Sequence, residues 1–397
     1  PEPPLVPWVP SRDVSRERRP RGGVEAVPSL QSLAIDLLVE HIDAVAAFGV
    51  LTPAIQHDIA TALCKVRKLT SSSLALFAPA DAPLTELIIP DCHAIEPDDL
   101  AAALAPHVDH HSRLAVVHLG FCGRCVTPHV ASLLEHAAAL HSLHLDGCYR
   151  LSDDALVSLL RARGGGLNTL FLSANSQLTA TAVQAIGEHC LQLRRLALEN
   201  LAQLPSAALL PLRGLLHLER LSLRGVCMLT DEVLVELLGG CSGTLTHLCV
   251  EDCCLLTDAG VAAVRSCGSL RDLDLGGAEL ITDAAAEVVA SLPALERLSL
   301  RQCVQLSDAA IVCVAESCKG SLRDLSLNKL PALSELSIKA LADHCASSLA
   351  ELDISWCRGV SDEALGHLVD TCGELRKLTL WGCTQVASVP RHFLDTS

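Results

Sequence analysis

The stretch Leu295–Cys303 reads Leu-Glu-Arg-Leu-Ser-Leu-Arg-Gln-Cys and fits the pattern LxxLxLxxC. Leu298 and Leu300 alternate with polar residues, as expected of a strand that buries one of its faces. Ser307-Asp308 then precedes apolar residues at helical spacing, and Ser suits an N-cap whereas Asp suits the positive end of a helix dipole. One unit is therefore predicted to contain a short strand, a turn, a helix and a return to the next strand.

The same pattern recurs along the chain with a period near 26 residues. Because so small a unit cannot bury its leucine face alone, the copies are expected to stack. We therefore expect an α/β leucine-rich-repeat solenoid over 81–397, a horseshoe of about twelve 25–27-residue repeats with a parallel inner sheet and outer helices. The first leucines of the copies are Leu84, Leu114, Leu140, Leu167, Leu193, Leu218, Leu245, Leu270, Leu295, Leu322, Leu349 and Leu375.

Composition limits the classes of function. The chain of 397 residues has a net charge of −16 and contains five Phe, three Trp and one Tyr. An acidic body repels phosphate and few aromatic rings are present for base stacking, so DNA contact is expected to be weak or indirect. No apolar run is long enough for a membrane helix. No phosphate-binding or nucleophile motif has its required context, so no enzyme activity, catalytic residue or cofactor is expected.

Many of the 19 cysteines recur at the ninth position of the pattern. The odd count and the repeat phase favour buried thiols in a reducing compartment over disulfides. Cys122 and Cys125 form a CxxC pair that could suggest zinc, but no second pair with clean spacing accompanies it. No metal site is therefore expected. The recurring residues are Cys92, Cys122, Cys148, Cys253, Cys303, Cys357 and Cys383.

The first 80 residues do not follow the repeat. Residues 1–27 are rich in Pro and Arg and are expected to be a disordered tail. Residues 28–80 are expected to form a small helical segment, with a helix over 29–42 and a second helix opened by Thr52-Pro53. The first helix carries an apolar stripe that would bind an adaptor protein or, alternatively, cover the first repeat. The stripe consists of Leu30, Leu33, Ala34, Leu37 and Leu38.

Three resemblances follow from these motifs. The cysteine-containing repeats with LSD and LTD motifs resemble those of F-box-type ubiquitin-ligase receptors over 84–383. The string SLQSLAIDLL at 29–38 resembles an elongin-binding box, with Leu30, Ala34 and Leu38 at its key positions and Ala34 where Cys is commoner. The order SLQSLAIDLLVEHIDAVAAFGVL, ALCKVRKL, LTELIIPDC, LGFCGRC resembles the Rad-seven family, the leucine-rich subunit of the global-genome nucleotide-excision-repair complex.

The resemblance implies a protein-binding subunit of a cullin-type ubiquitin ligase acting in nuclear DNA repair. Its implied partners are an elongin-type or Skp-type adaptor, a cullin and a Swi/Snf-type ATPase, with an unknown protein substrate. The alternatives are a general F-box-type receptor for ubiquitin-dependent degradation and an interaction scaffold without a ligase, and a cytoplasmic location stays open.

The third, fifth, seventh and eighth residues of each pattern are expected to point out of the inner sheet. A mixed-charge concave wall and two late tryptophans are predicted to bind a protein partner, because Trp and Arg are frequent interface anchors. These residues are Arg220, Arg224, His247, Glu251, Asp252, Asp272, Asp274, Arg297, Arg301, Trp356 and Trp381.

Overall fold

The computed structural model describes residues 29–49, 51–80, 82–109 and 111–384. The predicted tail, 1–27, lies outside the described residues. The described chain divides into two compact units, one ending at Leu218 and the other beginning at Glu219. No helix in the described ranges is long and apolar enough to cross a membrane.

The first unit begins with three helices, α1 (Leu30–Glu40), α2 (Pro53–Lys65) and α3 (Ser71–Phe77). The helix predicted over 29–42 ends two residues early, and a 3-10 turn follows it. At that end the Lys68 ammonium donates hydrogen bonds to the carbonyls of Val39 (3.0 Å) and Glu40 (2.7 Å). A cation suits the carbonyl end of a helix, so this tertiary contact closes α1 where the sequence carries no stop signal.

The repeats of the first unit alternate strands with helices on a parallel sheet. In the last of them the helix is replaced by a 3-10 helix, Ser206–Gly214, with Pro211 inside it. This repeat lacks the Ser/Thr-Asp start signal, and a proline inside a helix removes a backbone donor. The elements are β1 (Glu86–Ile89), α4 (Pro97–Leu104), β2 (Val116–Leu119), α5 (Pro128–Leu134), β3 (Ser142–Leu145), α6 (Asp153–Arg163), β4 (Thr169–Phe171), α7 (Ala180–His189) and β5 (Arg195–Ala197).

The second unit continues the alternation more regularly. Within each unit the strands are parallel and follow chain order, twelve strands in all among the described residues, which confirms the predicted leucine-rich-repeat class. The elements are β6 (Arg220–Ser222), α8 (Asp231–Cys241), β7 (His247–Cys249), α9 (Asp258–Ala262), β8 (Asp272–Asp274), α10 (Asp283–Ala290), β9 (Arg297–Ser299), α11 (Asp308–Ser317), β10 (Asp324–Ser326), α12 (Glu335–His344), β11 (Glu351–Asp353), α13 (Asp362–Thr371) and β12 (Lys377–Thr379).

The strand register aligns the leucines of neighbouring repeats into a core. Leu248 pairs with Leu273, and Leu273 with Leu298, and all three are buried. The ninth-position cysteines are buried too, and all described cysteines are free thiols. Burial raises the pKa of Cys253 and Cys303 to about 12, so these thiols stay neutral at physiological pH. The recurring cysteine is thus a small core residue.

Candidate partner-binding surfaces

The leucines predicted to bind an adaptor lie on the exposed side of α1. The exposed fractions of Leu30, Leu33 and Leu37 are 85%, 50% and 60%. Ala34 is also exposed, whereas Leu38 is half-buried. An exposed apolar stripe on one helix is unusual for a surface that has no partner, since such residues normally turn toward a core.

The opposite side of α1 fixes the helix to the rest of the unit. Val39 is buried, and the Gln31 side-chain amide donates a 3.0 Å hydrogen bond to Asp58 of α2. Ser29 caps the helix, its hydroxyl accepting from the backbone N–H of Ser32. Val39 is the only residue within α1 that is buried, so the leucine stripe itself contributes little to the core.

The next two helices are the ones that extend the hydrophobic core beside the first repeat. Ile59 and Leu63 of α2 are 1% and 0% exposed, and Leu74 and Phe77 of α3 are 1% and 3% exposed. α3 has no counterpart among the predicted helices. Covering the first repeat was the alternative role for α1. The buried residues of α2 and α3 suit that role better than the exposed leucine stripe of α1 does.

The charged residues predicted on the sheet face of the second unit are paired with one another. Glu251 is 9% exposed and forms ion pairs with Arg224 (Nε to Oε2, 2.7 Å) and Arg301. Arg301 reaches Glu251 from two repeats away because the intervening position on the face is Gly276, which has no side chain. The Nη2 atom of Arg301 also lies 3.6 Å from Asp252 Oδ1.

A second cluster lies on the neighbouring column of the same face. Arg297 Nε donates to Asp272 Oδ2 at 2.8 Å, and its Nη2 lies 3.1 Å from His247 Nε2. Arg220 is exposed and forms no ion pair among the described residues. Most predicted face charges therefore neutralise each other within the unit, which alternating sequence positions do not reveal.

Two groups of residues have metal-ligand chemistry. Cys249, Glu251 and Asp274 offer ligand atoms within 4.8 Å of one another. Burial raises the pKa of the Cys249 thiol to about 11, and two arginines already engage Glu251. In the CxxC pair, the Cys122 thiol donates to the Asp146 carbonyl (3.3 Å) and the Cys125 thiol to the Cys122 carbonyl (3.5 Å). Arginines thus engage the carboxylate of the first group, and both thiols of the second group bond to backbone carbonyls of the repeats.

The two predicted tryptophans lie at the end of the second unit. Trp356 and Trp381 are 49% and 54% exposed, and the backbone N–H of Trp356 donates to the Trp381 carbonyl at 2.6 Å. A Cβ added at Gly382 would lie 2.5 Å from the Trp356 ring, so the indole rests on this glycine. The pair forms a half-exposed aromatic surface beside the sheet face.

A set of rings on the first unit was missed by the sequence interpretation. His118, His144 and Phe171 occupy the same position of β2, β3 and β4 and stack, with centroid separations of 3.5 and 4.0 Å. Phe121 and Tyr149 follow these strands and are 73% and 49% exposed. The signal that could have predicted the stack is the fifth position of the repeat, which these three residues occupy in successive copies.

Comparisons with known proteins relate the chain to DNA repair proteins. No family model matches it. It is 27% identical over 263 residues to DNA repair protein rhp7 of Schizosaccharomyces pombe and to DNA repair protein RAD7 of Saccharomyces cerevisiae. Each match covers 59% of this chain but only 45% and 44% of those proteins, respectively.

A solved structure matches much more of the chain. The crystal structure of the yeast Rad7 and Elc1 complex contains a chain with 25% identity and a TM-score of 0.73, which covers 93% of this chain and 98% of that one. The chain is therefore related in sequence to the RAD7 and rhp7 repair proteins and shares the fold of the Rad7 structure, as the sequence resemblance predicted.

Proposed function

We propose that this chain is a partner-binding subunit of a DNA repair assembly and acts by binding proteins rather than by catalysis. The observation that supports this best is the exposed leucine stripe of α1, on a chain whose fold matches Rad7 from a complex with Elc1. Leu30, Leu33, Ala34, Leu37 and Leu38 bind an elongin-type adaptor, and through it a cullin.

The exposed sheet face of the second unit binds a further protein in this proposal. Its anchors are Trp356 and Trp381, because large half-exposed aromatic side chains contribute most to protein interfaces. The paired charges around Glu251 present both signs, which suits a protein partner better than a uniformly anionic strand. A net charge of −16 keeps DNA contact weak or indirect.

The remaining parts of the proposal follow from the relatives. They are named DNA repair proteins, which supports a nuclear site of action. We assign the ligase connection and a Swi/Snf-type ATPase partner by the sequence resemblance. The matched region spans less than half of those relatives. Both assignments are tested by identifying which proteins form an assembly with this chain.

The adaptor site is tested with Leu30→Asp and purified Elc1 as the bait. We expect this variant to lose Elc1 binding, because burial of one leucine contributes about 1.5–3 kcal/mol and a carboxylate would oppose docking. Leu336→Asp is the matched control, since Leu336 is also an exposed helical leucine (63%, against 85% for Leu30) and lies on α12. Undiminished capture of Leu30→Asp, with both variants folded, would refute the assignment.

A further inference from the structure

The stacked rings of the first unit form an uncharged surface on its sheet. The planes of His118 and His144 differ by 7°, and those of His144 and Phe171 by 17°. Burial lowers the pKa of His118 to about 4 and that of His144 to about 3. Both imidazoles are therefore neutral at physiological pH, and the stack places aromatic rings on an exposed face of a chain with few of them.

Two buried polar atoms, one in the stack and one beside it, have no hydrogen-bond partner among the described residues. They are His144 Nε2 and Asp146 Oδ1. His144 lies on β3, and Asp146 follows two residues later. Side chains two residues apart in an extended backbone point to the same side, so both belong to the exposed face, roughly 7 Å apart at their backbones. Leaving a buried polar atom unpaired is unfavourable. Two neighbouring unpaired acceptors therefore indicate a site where a bound partner supplies the hydrogen-bond donors.

The charge around Asp146 specifies what kind of donor fits. Burial raises the pKa of Asp146, hydrogen bonding to Ser173 opposes that shift, and the like charge of Glu199 adds to it. No Lys or Arg of the described residues forms an ion pair with Asp146. Arg195 acts on His144, whose pKa it lowers. A half-buried carboxylate without a cation is complementary to an incoming positive group.

We propose that this surface, formed by His118, His144, Phe171 and Asp146, binds an arginine side chain of a partner protein. The guanidinium donates to Asp146 Oδ1 and, when the imidazole proton is on Nδ1, to His144 Nε2. Arginine fits better than lysine because its planar fork can serve two acceptors at once, whereas an ammonium is a point charge. Phe121, 73% exposed after β2, offers adjoining apolar contact. This site is independent of the adaptor helix.

The test measures fluorescence polarisation of a fluorescein-labelled peptide with three arginines separated by leucine and glycine. Two further peptides carry citrulline or lysine in place of each arginine. We expect the full chain to bind the arginine peptide at least tenfold more tightly than the citrulline peptide, and more tightly than the lysine peptide. Equal binding of arginine and citrulline peptides would overturn the proposal, and equal binding of the lysine peptide would overturn the guanidinium assignment.

Variants locate the binding on the chain. Asp146→Asn and His144→Phe are expected to weaken binding at least fivefold. Their unfolding temperatures should stay unchanged or rise, because Asp146→Asn removes a half-buried charge that has no ion pair but keeps an oxygen that can accept from Ser173, and His144→Phe retains a stacked ring. The control Asp98→Asn/Asp99→Asn removes exposed charge on α4 and should bind like the wild type, as should Leu30→Asp, which tests the adaptor site alone. Full binding by Asp146→Asn, or equal loss in the α4 control, contradicts the site.

Discussion

At the scale of single residues, the eighth position of the repeat has a left-handed backbone from β2 onwards. Glycine occupies it in several repeats, including Gly225, Gly277 and Gly382, but Trp356 occupies it with a φ of 65°. The position turns the chain out of the strand, and its N–H donates to the next repeat, as from Gly277 to the Arg301 carbonyl (2.7 Å). A non-glycine residue there strains the backbone by about 1–2 kcal/mol.

We predict that Trp356→Gly leaves the free energy of unfolding unchanged or raises it by up to about 1 kcal/mol. Relief of backbone strain is offset by the extra freedom of glycine in the unfolded chain and by the lost contact with Gly382. Lys329→Gly, at the same position with a φ of 60°, serves as the matched variant. Urea unfolding measures both. A loss above about 2 kcal/mol for Trp356→Gly alone would assign the indole to packing rather than to a partner.

The ninth-position cysteine illustrates what residue patterns do and do not predict. Its burial followed from the repeat phase. The Cys303 thiol also donates to the Leu275 carbonyl of the preceding repeat at 3.2 Å, and the Cys357 thiol to the Leu327 carbonyl at 3.1 Å. Such contacts depend on the register between neighbouring repeats, and the sequence of a single repeat does not specify that register.

At the scale of elements, an aspartate at the start of one helix binds the cap residue of the next helix. Asp283 Oδ1 accepts from the Ser307 backbone N–H at 2.8 Å, and its Oδ2 accepts from the Ser307 hydroxyl at 2.5 Å. Asp258 bonds Thr282 in the same way, and Asp308 bonds Ser334. In these repeats the Ser/Thr-Asp signal therefore starts the helix and also joins it to the next repeat.

We predict that Asp283→Ala lowers the free energy of unfolding by about 1–3 kcal/mol, because it leaves the cap residue of the next helix without its acceptor. Asp98→Ala also removes a first-turn acid, from α4, and should cost less than about 1 kcal/mol through the helix dipole alone. Chemical denaturation of both variants measures the difference. Equal losses would mean that the bond between repeats contributes nothing.

Helices with this signal were predicted correctly, whereas two others were not. α3 (Ser71–Phe77) is short and its hydroxyl caps are common in loops as well, so its sequence has no distinctive period. The 3-10 helix at Ser206–Gly214 occupies a repeat without the signal. The leucine stripe of α1 was predictable from spacing alone, but its exposure depends on how α1 packs against α2, which helical periodicity does not specify.

At the scale of the whole molecule, an acidic chain pairs most of the charges on the sheet face of its second unit. The excess of acids, with 46 Asp and Glu against 30 Lys and Arg, does not extend evenly over the face of the second unit. There Glu251 has two arginines and Asp272 has one. The sequence predicted which charges face outward. It could not predict their pairing, since Arg301 and Glu251 are 50 residues apart.

This pairing makes Arg301 a structural residue as well as a face residue. Burial raises the pKa of Glu251. The nearby charge of Asp274 adds to that shift, whereas Arg301 and Arg224 oppose it.

We predict that Arg301→Gln costs about 1–3 kcal/mol of unfolding free energy, because a 9% exposed carboxylate loses one of its two cations. Arg220→Gln, at an exposed position of β6, should cost less than about 0.5 kcal/mol. Thermal and urea unfolding at low and high salt measure both, and the Arg301 effect should persist in salt because the pair is partly buried. If both substitutions cost the same, or if salt removes the Arg301 effect, the cluster is an ordinary surface pairing whose arginines are free to serve a partner.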